Sequence, residues 1–213
     1  MPGLIREIDP GRVRRNLERV RDEVGEAVEI LLATKYVPAE QMGALAEANV
    51  RLVGENRLQD LEAKRERWGN AFAWDFIGAL QSRKVRDIVS QTRLIHSLCT
   101  ESALAQLELH APPETEVLIQ VNVAGEESKA GVLPEQLADF IARCPVRVGG
   151  LMTMPPLASD PEHSRPHFTR LAELAAEHGL RRLSMGTSQD WPVAVQEGAT
   201  IIRLGTALLS DNG

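Results

Sequence analysis

The sequence predicts an α/β fold, a single (β/α)8 barrel with an extra N-terminal helix. Three observations lead there. Short apolar runs alternate with helical patterns along the chain without a break in composition, which argues a parallel sheet joined by helical crossovers. The alternation repeats eight times, enough to close the sheet on itself. No G-x-G-x-x-G follows the first strand, which removes the main support for an open doubly wound sheet. The 213 residues, 43% hydrophobic and 25% charged, suit one domain over residues 1–213, at the short end of the barrel range.

Asp9-Pro10 starts the first helix, because aspartate caps and proline suits the first helical position. Val13, Leu17, Val20 and Val24 then recur at helical spacing until Gly25. Ile30 to Ala33 reads as a buried strand that delivers Lys35 to a loop, and Pro38 opens a helix bearing Met42, Leu45 and Ala46, closed by Asn49. Val50 to Val53 is the second strand, ending in Gly54-Glu55-Asn56 before a helix with Leu58 and Leu61. Ala73 to Ile77, Leu94 to Leu98 and Glu116 to Val123 follow as strands, the last with the clearest alternation. Between them lie a helix with Val85, Ile88 and Val89 and one capped by Thr100 with Leu104 and Leu107. A polar loop, Ala124 to Gly131, leads to a helix at Pro134, and Val146 to Met152 is the sixth strand. The most proline-rich loop, Thr153 to Arg165, precedes a helix with Phe168, Leu171 and Leu174 that Gly179 ends. Leu183 to Met185 and Ala199 to Leu204 complete the strands, with a helix opened by Ser188 between them and a short helix from Gly205-Thr206 at the end.

The net charge of −6 carries no electrostatic footprint of nucleic-acid binding. The interrupted basic runs Arg12 to Arg15 and Lys64 to Arg67 lie on helical patterns and read as solvated faces. Two cysteines, Cys99 and Cys144, are too few for a disulfide framework or a cysteine zinc site, and no metal site is expected. With no bilayer-length apolar stretch and no signal-peptide pattern, neither a membrane nor export is expected, and the expected location is cytoplasmic.

In such barrels the active groups sit at the C-terminal ends of the strands, and a phosphate site commonly forms after strands seven and eight. Lys35 ends strand one. Among apolar neighbours its charged form is disfavoured, which makes the amine a nucleophile toward a carbonyl. Ser184 to Ser188 and Arg203 to Thr206 are small-residue loops that open helices, where backbone N–H groups and hydroxyls attract an anion. An amine and an anion cradle at one mouth suit an aldehyde bearing a phosphate. Pyridoxal 5′-phosphate (PLP) and the sugar phosphate of a Schiff-base (class I) aldolase both fit, and spacing does not separate them.

The ordered set of motifs is more specific. Ala33-Thr34-Lys35, Gly54-Glu55-Asn56-Arg57, Trp74 to Lys84, Ile95-His96-Ser97, Gln120-Val121-Asn122 with Glu127 to Gly131, Gly150 to Met154, Leu183 to Asp190 and Ile202 to Thr206 span the chain. Together they resemble the PLP-homeostasis family, the YggS/PROSC-like proteins related to the barrel domain of alanine racemase. The resemblance implies PLP held as a Schiff base on Lys35. It implies Ser188, Gly205 and Thr206 as phosphate ligands, with Gly186 shaping their loop. It also implies Arg203 facing the pyridine nitrogen, with Asn56 and Met152 lining the pocket. The chain departs from the family pattern at Asp75, where histidine is usual, at Arg83, where asparagine is usual, at Cys99, often acidic, and at Leu208-Leu209-Ser210. None of these is expected to touch Lys35, Ser188, Arg203 or Gly205.

The resemblance implies homeostasis or carriage of PLP rather than catalysis, with no catalytic residue. Arginine only donates hydrogen bonds, so facing the pyridine nitrogen it disfavours the pyridinium and weakens the ring as an electron sink. Racemase chemistry needs a second base, and the one tyrosine, Tyr36, adjoins Lys35. An amino-acid racemase and a class I aldolase remain the alternatives. Expected partners are PLP and PLP-dependent apo-enzymes, and the expected state is a monomer. His96 reads as a hydrogen-bonded scaffold residue and Cys99 as an inert thiol. Glu126, Glu127 and Lys129 read as a polar loop over the mouth.

Overall fold

The computed structural model describes residues 5, 7–126 and 129–211. Eight parallel strands close into a barrel in sequence order: β1 (Glu29–Ala33), β2 (Leu52–Glu55), β3 (Ala73–Phe76), β4 (Leu94–Leu98), β5 (Glu116–Gln120), β6 (Arg147–Met152), β7 (Arg182–Thr187) and β8 (Ile201–Leu204). The register Leu31↔Arg203 and Leu32↔Leu204 joins β8 back to β1. The crossovers are α2 (Met42–Glu47), α3 (Leu58–Trp68), α4 (Val85–Val89), α5 (Glu101–His110), α6 (Leu137–Ala142), α7 (Arg165–Glu177) and α8 (Trp191–Gln196). They are preceded by α1 (Pro10–Val24) and followed by α9 (Thr206–Leu209).

Several local expectations hold for physical reasons. Asp9 accepts the Gly11 N–H at 2.8 Å and caps α1, and Thr100 caps α5 by accepting from Ala103. Asn49 ends its turn in the left-handed region at φ 65°. Other boundaries move. The second strand runs two residues later than the apolar run suggests, and Pro38 precedes and Pro134 begins a 3-10 turn that leads into α2 and α6 respectively. Ser188 does not open α8, which begins at Trp191 with Asp190 at its N-cap.

Alternation of strand side chains splits the core in two. Outward residues pack under the helices, whereas Leu31, Leu52, Leu94, Leu118, Met152 and Ile201 form a separate cluster inside the barrel. The same phase turns Glu29, His96, Glu116 and Arg203 inward, two residues from Leu31, Leu94, Leu118 and Ile201. The interior is therefore part apolar plug and part polar column.

The basic run on α3 is not wholly a solvated face. Lys64 is buried and ion-paired with the buried Glu55. Arg12 pairs with Asp211, and Arg14 donates to the Glu47 carbonyl. The long stems of these residues lie against the barrel while their heads find acceptors.

Candidate functional site at the barrel mouth

Every predicted site residue lies at the C-terminal end of the barrel. β1 carries Lys35 just beyond its last residue, and its neighbour β8 carries Arg203 within the strand and Gly205 just beyond it. A Cβ built on Gly205 would lie 3.9 Å from the Ala33 carbonyl oxygen, so the two strand ends share one rim.

Lys35 is exposed, not desolvated among apolar side chains. The strand ends at Ala33, and the turn lifts the lysine out of the core. Its ammonium lies 5.0 Å from the centre of the Tyr36 ring. What is buried is the peptide before it. Lys64 Nζ donates to the Thr34 carbonyl at 2.8 Å, while the Thr34 hydroxyl and Lys64 Nζ both donate to Glu55 Oε1. The amine thus hangs from a fixed backbone. Glu55 Oε2 and Asn56 Oδ1 are buried and have no hydrogen-bond partner among the described residues.

The phosphate corner is built from two loops. Ser188 Oγ accepts the N–H groups of Gly205 at 3.0 Å and Ala207 at 3.1 Å. Asp190 fixes the β7 loop by accepting from Thr187 N at 2.7 Å, from Thr187 Oγ1 at 3.0 Å and from Ser164 Oγ at 2.9 Å. The helices that follow are short, so converging N–H groups, not a long helix dipole, define this corner. Thr206 is exposed beside them, and Gly186 turns the loop at φ 90° under α8.

Arg203 closes the inner end. It is buried, and no acid bonds to it among the described residues. Nη1 donates to Ser184 Oγ at 2.5 Å. Nη2 donates to the Thr153 carbonyl and to Met154 Sδ, each at 2.9 Å. A guanidinium has five donors, so Nε–H and one Nη1–H remain for another acceptor. Burial pulls its pKa down to about 10, partly offset by the charge of Asp190, so the group is cationic near neutrality. Met152 is buried in the interior cluster beneath.

His96 is the hydrogen-bonded scaffold residue that the sequence suggests, but the sequence reading missed that it stands behind Arg203. His96 Nδ1 lies 2.8 Å from Ser184 Oγ, and His96 Nε2 lies 3.0 Å from Asp75 Oδ2. Arg93 grips the same carboxylate with two bonds, at 2.9 and 2.7 Å, and reaches Glu29 at 2.5 Å. Asp75 therefore sits inside the barrel, three hydrogen bonds from Arg203 and not in direct contact with it. Burial would raise the Asp75 pKa, but the bonds from Arg93 and His96 outweigh it and hold the carboxyl below its ordinary range. Burial pushes His96 below the ordinary imidazole value. Asp75 opposes this, and the positive charges of Arg203 and Arg93 add to it. The signal was present in part: Asp75 and His96 are polar residues at the inward phase of strands whose neighbouring inward positions, Ala73 and Leu94, are apolar.

Cys99 is half-buried with its thiol pushed up by burial, as an inert thiol should be. Of the polar loop over the mouth, Glu126 and Lys129 are held by Asn122 Nδ2, which donates to their carbonyls at 2.8 and 3.3 Å, while Glu127 and Ser128 lie outside the described residues. A cavity of about 200 Å³ opens beside the mouth, lined by Lys129, Met154, Pro155, Leu157, Thr187 and Asp190 among others. A larger one, about 410 Å³, lies at the opposite rim against α1 and contains none of the predicted site residues.

Comparison with known proteins places the chain among barrels of the same fold. Residues 8–212 match the family model described as alanine racemase, N-terminal domain. A pyridoxal phosphate homeostasis protein of Aquifex aeolicus is 38% identical, covering 94% of this chain and 96% of the relative. Its counterpart in Vibrio cholerae is 33% identical, covering 93% of each. The solved structure of PipY from Synechococcus elongatus with PLP bound superposes with a TM-score of 0.81 at 30% identity, over 93% of this chain and 100% of that one.

Proposed function

This chain belongs to the pyridoxal phosphate homeostasis protein family, and from that premise we propose that it holds PLP at the barrel mouth for storage and delivery rather than catalysis. The observation that carries the reading is Arg203. It is a buried guanidinium without a carboxylate partner among the described residues, with donors to spare, on the strand beside the one that carries Lys35. Such a group matches a neutral heteroaromatic nitrogen, which is an acceptor, better than a sugar hydroxyl, which brings its own proton.

When bound, PLP supplies an aldehyde that Lys35 Nζ captures as a Schiff base, the C=N bond forming as water leaves. Lys35 is accessible to an incoming aldehyde, and the Glu55–Lys64–Thr34 clamp fixes the backbone from which it reaches. The hydroxyls of Ser188 and Thr206 would hold the phosphate, joined by Gly205 N–H turning to it from Ser188 Oγ, and Gly186 sets the loop that presents Ser188. Asn56 and Met152 would line the ring.

Arg203 would meet the ring nitrogen with positive charge and so disfavour a proton there, which would leave the ring a weak electron sink. Tyr36 lies against the Lys35 ammonium, on the lysine's own side, and so is badly placed as an opposing base. Both points support carriage over racemisation. PLP-dependent apo-enzymes would be the recipients, met by a monomer in the cytoplasm. Among the described residues no helix is long and apolar enough to cross a membrane.

The test is direct. PLP added to the protein should give a visible absorption band, and borohydride should bleach it and leave one pyridoxyl group on Lys35 by peptide mass spectrometry. Lys35→Ala should lose the band and keep the fold by circular dichroism. Labelling at another lysine, or no band, would remove the reading. Measurable racemisation of an amino acid would replace carriage by catalysis.

A further inference from the structure

The polar column inside the barrel has a direction, and hydrogen-bond accounting fixes it. Asp75 is ionised and accepts only, so the His96 nitrogen facing it, Nε2, must carry a proton. A second proton on His96 would place an imidazolium in a fully buried position between Arg203 and Arg93, and burial and both cations oppose that. Nδ1 is then a bare acceptor, and the Ser184 hydroxyl must donate to it. With its only proton spent, Ser184 Oγ turns lone pairs toward Arg203 Nη1–H. The far end is anchored as well. Arg93 bridges Asp75 and Glu29, Arg182 bonds Glu29 at 2.7 Å, and Arg182 Nε lies 3.0 Å from Glu116 Oε1.

We propose that Asp75, His96 and Ser184 form a one-way hydrogen-bond relay that orients Arg203 and partly neutralises its charge from behind. On this view they are positioning residues that set how strongly Arg203 acts on a ring nitrogen at the mouth. The proposal rests on the PLP reading above. It also gives Asp75 a purpose that its place in the sequence did not suggest: it selects the imidazole tautomer two bonds from Arg203. The neutral tautomer with hydrogen on Nδ1 would set the Nε2 lone pair against the Asp75 carboxylate, at a cost that a buried pair does not bear.

The charged groups around His96 are Asp75, Arg93 and Arg203. Glu29 stands behind Arg93, and Asp190 acts on Arg203 from the β7 loop. An amide in place of Asp75 has one oxygen and no charge, so it cannot meet all three N–H groups that the carboxylate accepts, Arg93 Nε, Arg93 Nη2 and His96 Nε2. Asp75→Asn therefore turns an amide N–H against Arg93 Nε or His96 Nε2 and removes the negative charge in either orientation, so the relay loses its anionic anchor.

The experiment has two arms. In the ligand-free protein, ¹⁵N NMR of the His96 ring should report a neutral imidazole with hydrogen on Nε2 across about pH 5.5 to 7.5, one unit either side of an ordinary histidine. A protonated ring at neutral pH, or hydrogen on Nδ1, overturns the relay. In the PLP-loaded protein, Asp75→Asn and Ser184→Ala should shift the pH midpoint of the visible band on the order of one pH unit. Asp75→Glu should bring it back toward the parent. A purely structural role would lower thermal stability and leave that midpoint unmoved, and that result also overturns the relay. A parent chain that fails to take PLP at all, yet shows the Nε2–H imidazole, overturns the cofactor reading instead. Should Asp75→Asn fail to fold, Ser184→Ala and the ligand-free ring spectrum still decide.

Discussion

Replacing Gly186 by alanine would test whether the β7–α8 junction is held by close packing. Gly186 has φ 90°, the left-handed side where a Cβ costs roughly 1–2 kcal/mol. The added methyl would lie 2.6 Å from Ala194 Cβ and 3.0 Å from Trp191 Cα, both on α8, so the helix itself must shift. Overpacking of that kind adds about 1–3 kcal/mol. Gly186→Ala should therefore lose about 2–5 kcal/mol, a fall in Tm of roughly 4–20 °C for a chain of this size. Gly198 is the control. Its φ is 92°, but a Cβ there would meet only Leu183 Cδ1 at 3.9 Å, so Gly198→Ala should cost ~1–2 kcal/mol from the backbone alone. Urea unfolding followed by circular dichroism measures both, and Trp191 fluorescence reports the displaced helix. Because α8 follows the loop that carries Ser188, PLP affinity should drop in Gly186→Ala and stay level in Gly198→Ala. Equal stability losses in the two variants would refute the packing argument.

Lys64→Ala leaves the Glu55 carboxylate buried without its ion-pair partner and should cost about 3–5 kcal/mol, while Glu55→Gln with Lys64→Met together should cost markedly less, read from urea midpoints. Ser188→Ala removes the oxygen that accepts two backbone N–H groups, so stability should fall by about 1–2 kcal/mol and phosphate-dependent binding should weaken, measured by PLP titration. Acid should destabilise the fold through the column. His96 and Asp75 both have folded values below their unfolded ones, so the unfolded chain binds more protons as pH falls. Their contribution is complete above about pH 6.5 and is lost first as His96 passes through the unfolded histidine range. It is lost again below about pH 3.9 as Asp75 follows. His96→Gln should flatten the first step in urea midpoints taken from pH 8 downward, and an unchanged profile would contradict the buried neutral ring.

The sequence by itself determined the barrel, because strand and helix periodicities are local and each apolar run lies within one element. It also determined which rim carries the chemistry, since parallel strands put Lys35, the Ser188 loop and Gly205 at the same end once the alternation is counted. Three things were decided only in three dimensions. Whether Lys35 is exposed depends on how far the turn after Ala33 lifts it, and not on the apolar run before it. That Lys64 leaves solvent for Glu55 depends on α3 lying over β2, because a basic run on a helix looks the same whether or not an acid waits beneath it. The column from Arg203 to Glu29 joins residues from β8, β7, β4, β3 and β1. The closed barrel brings their inward positions together, and linear spacing carries no record of which strands face one another across its axis.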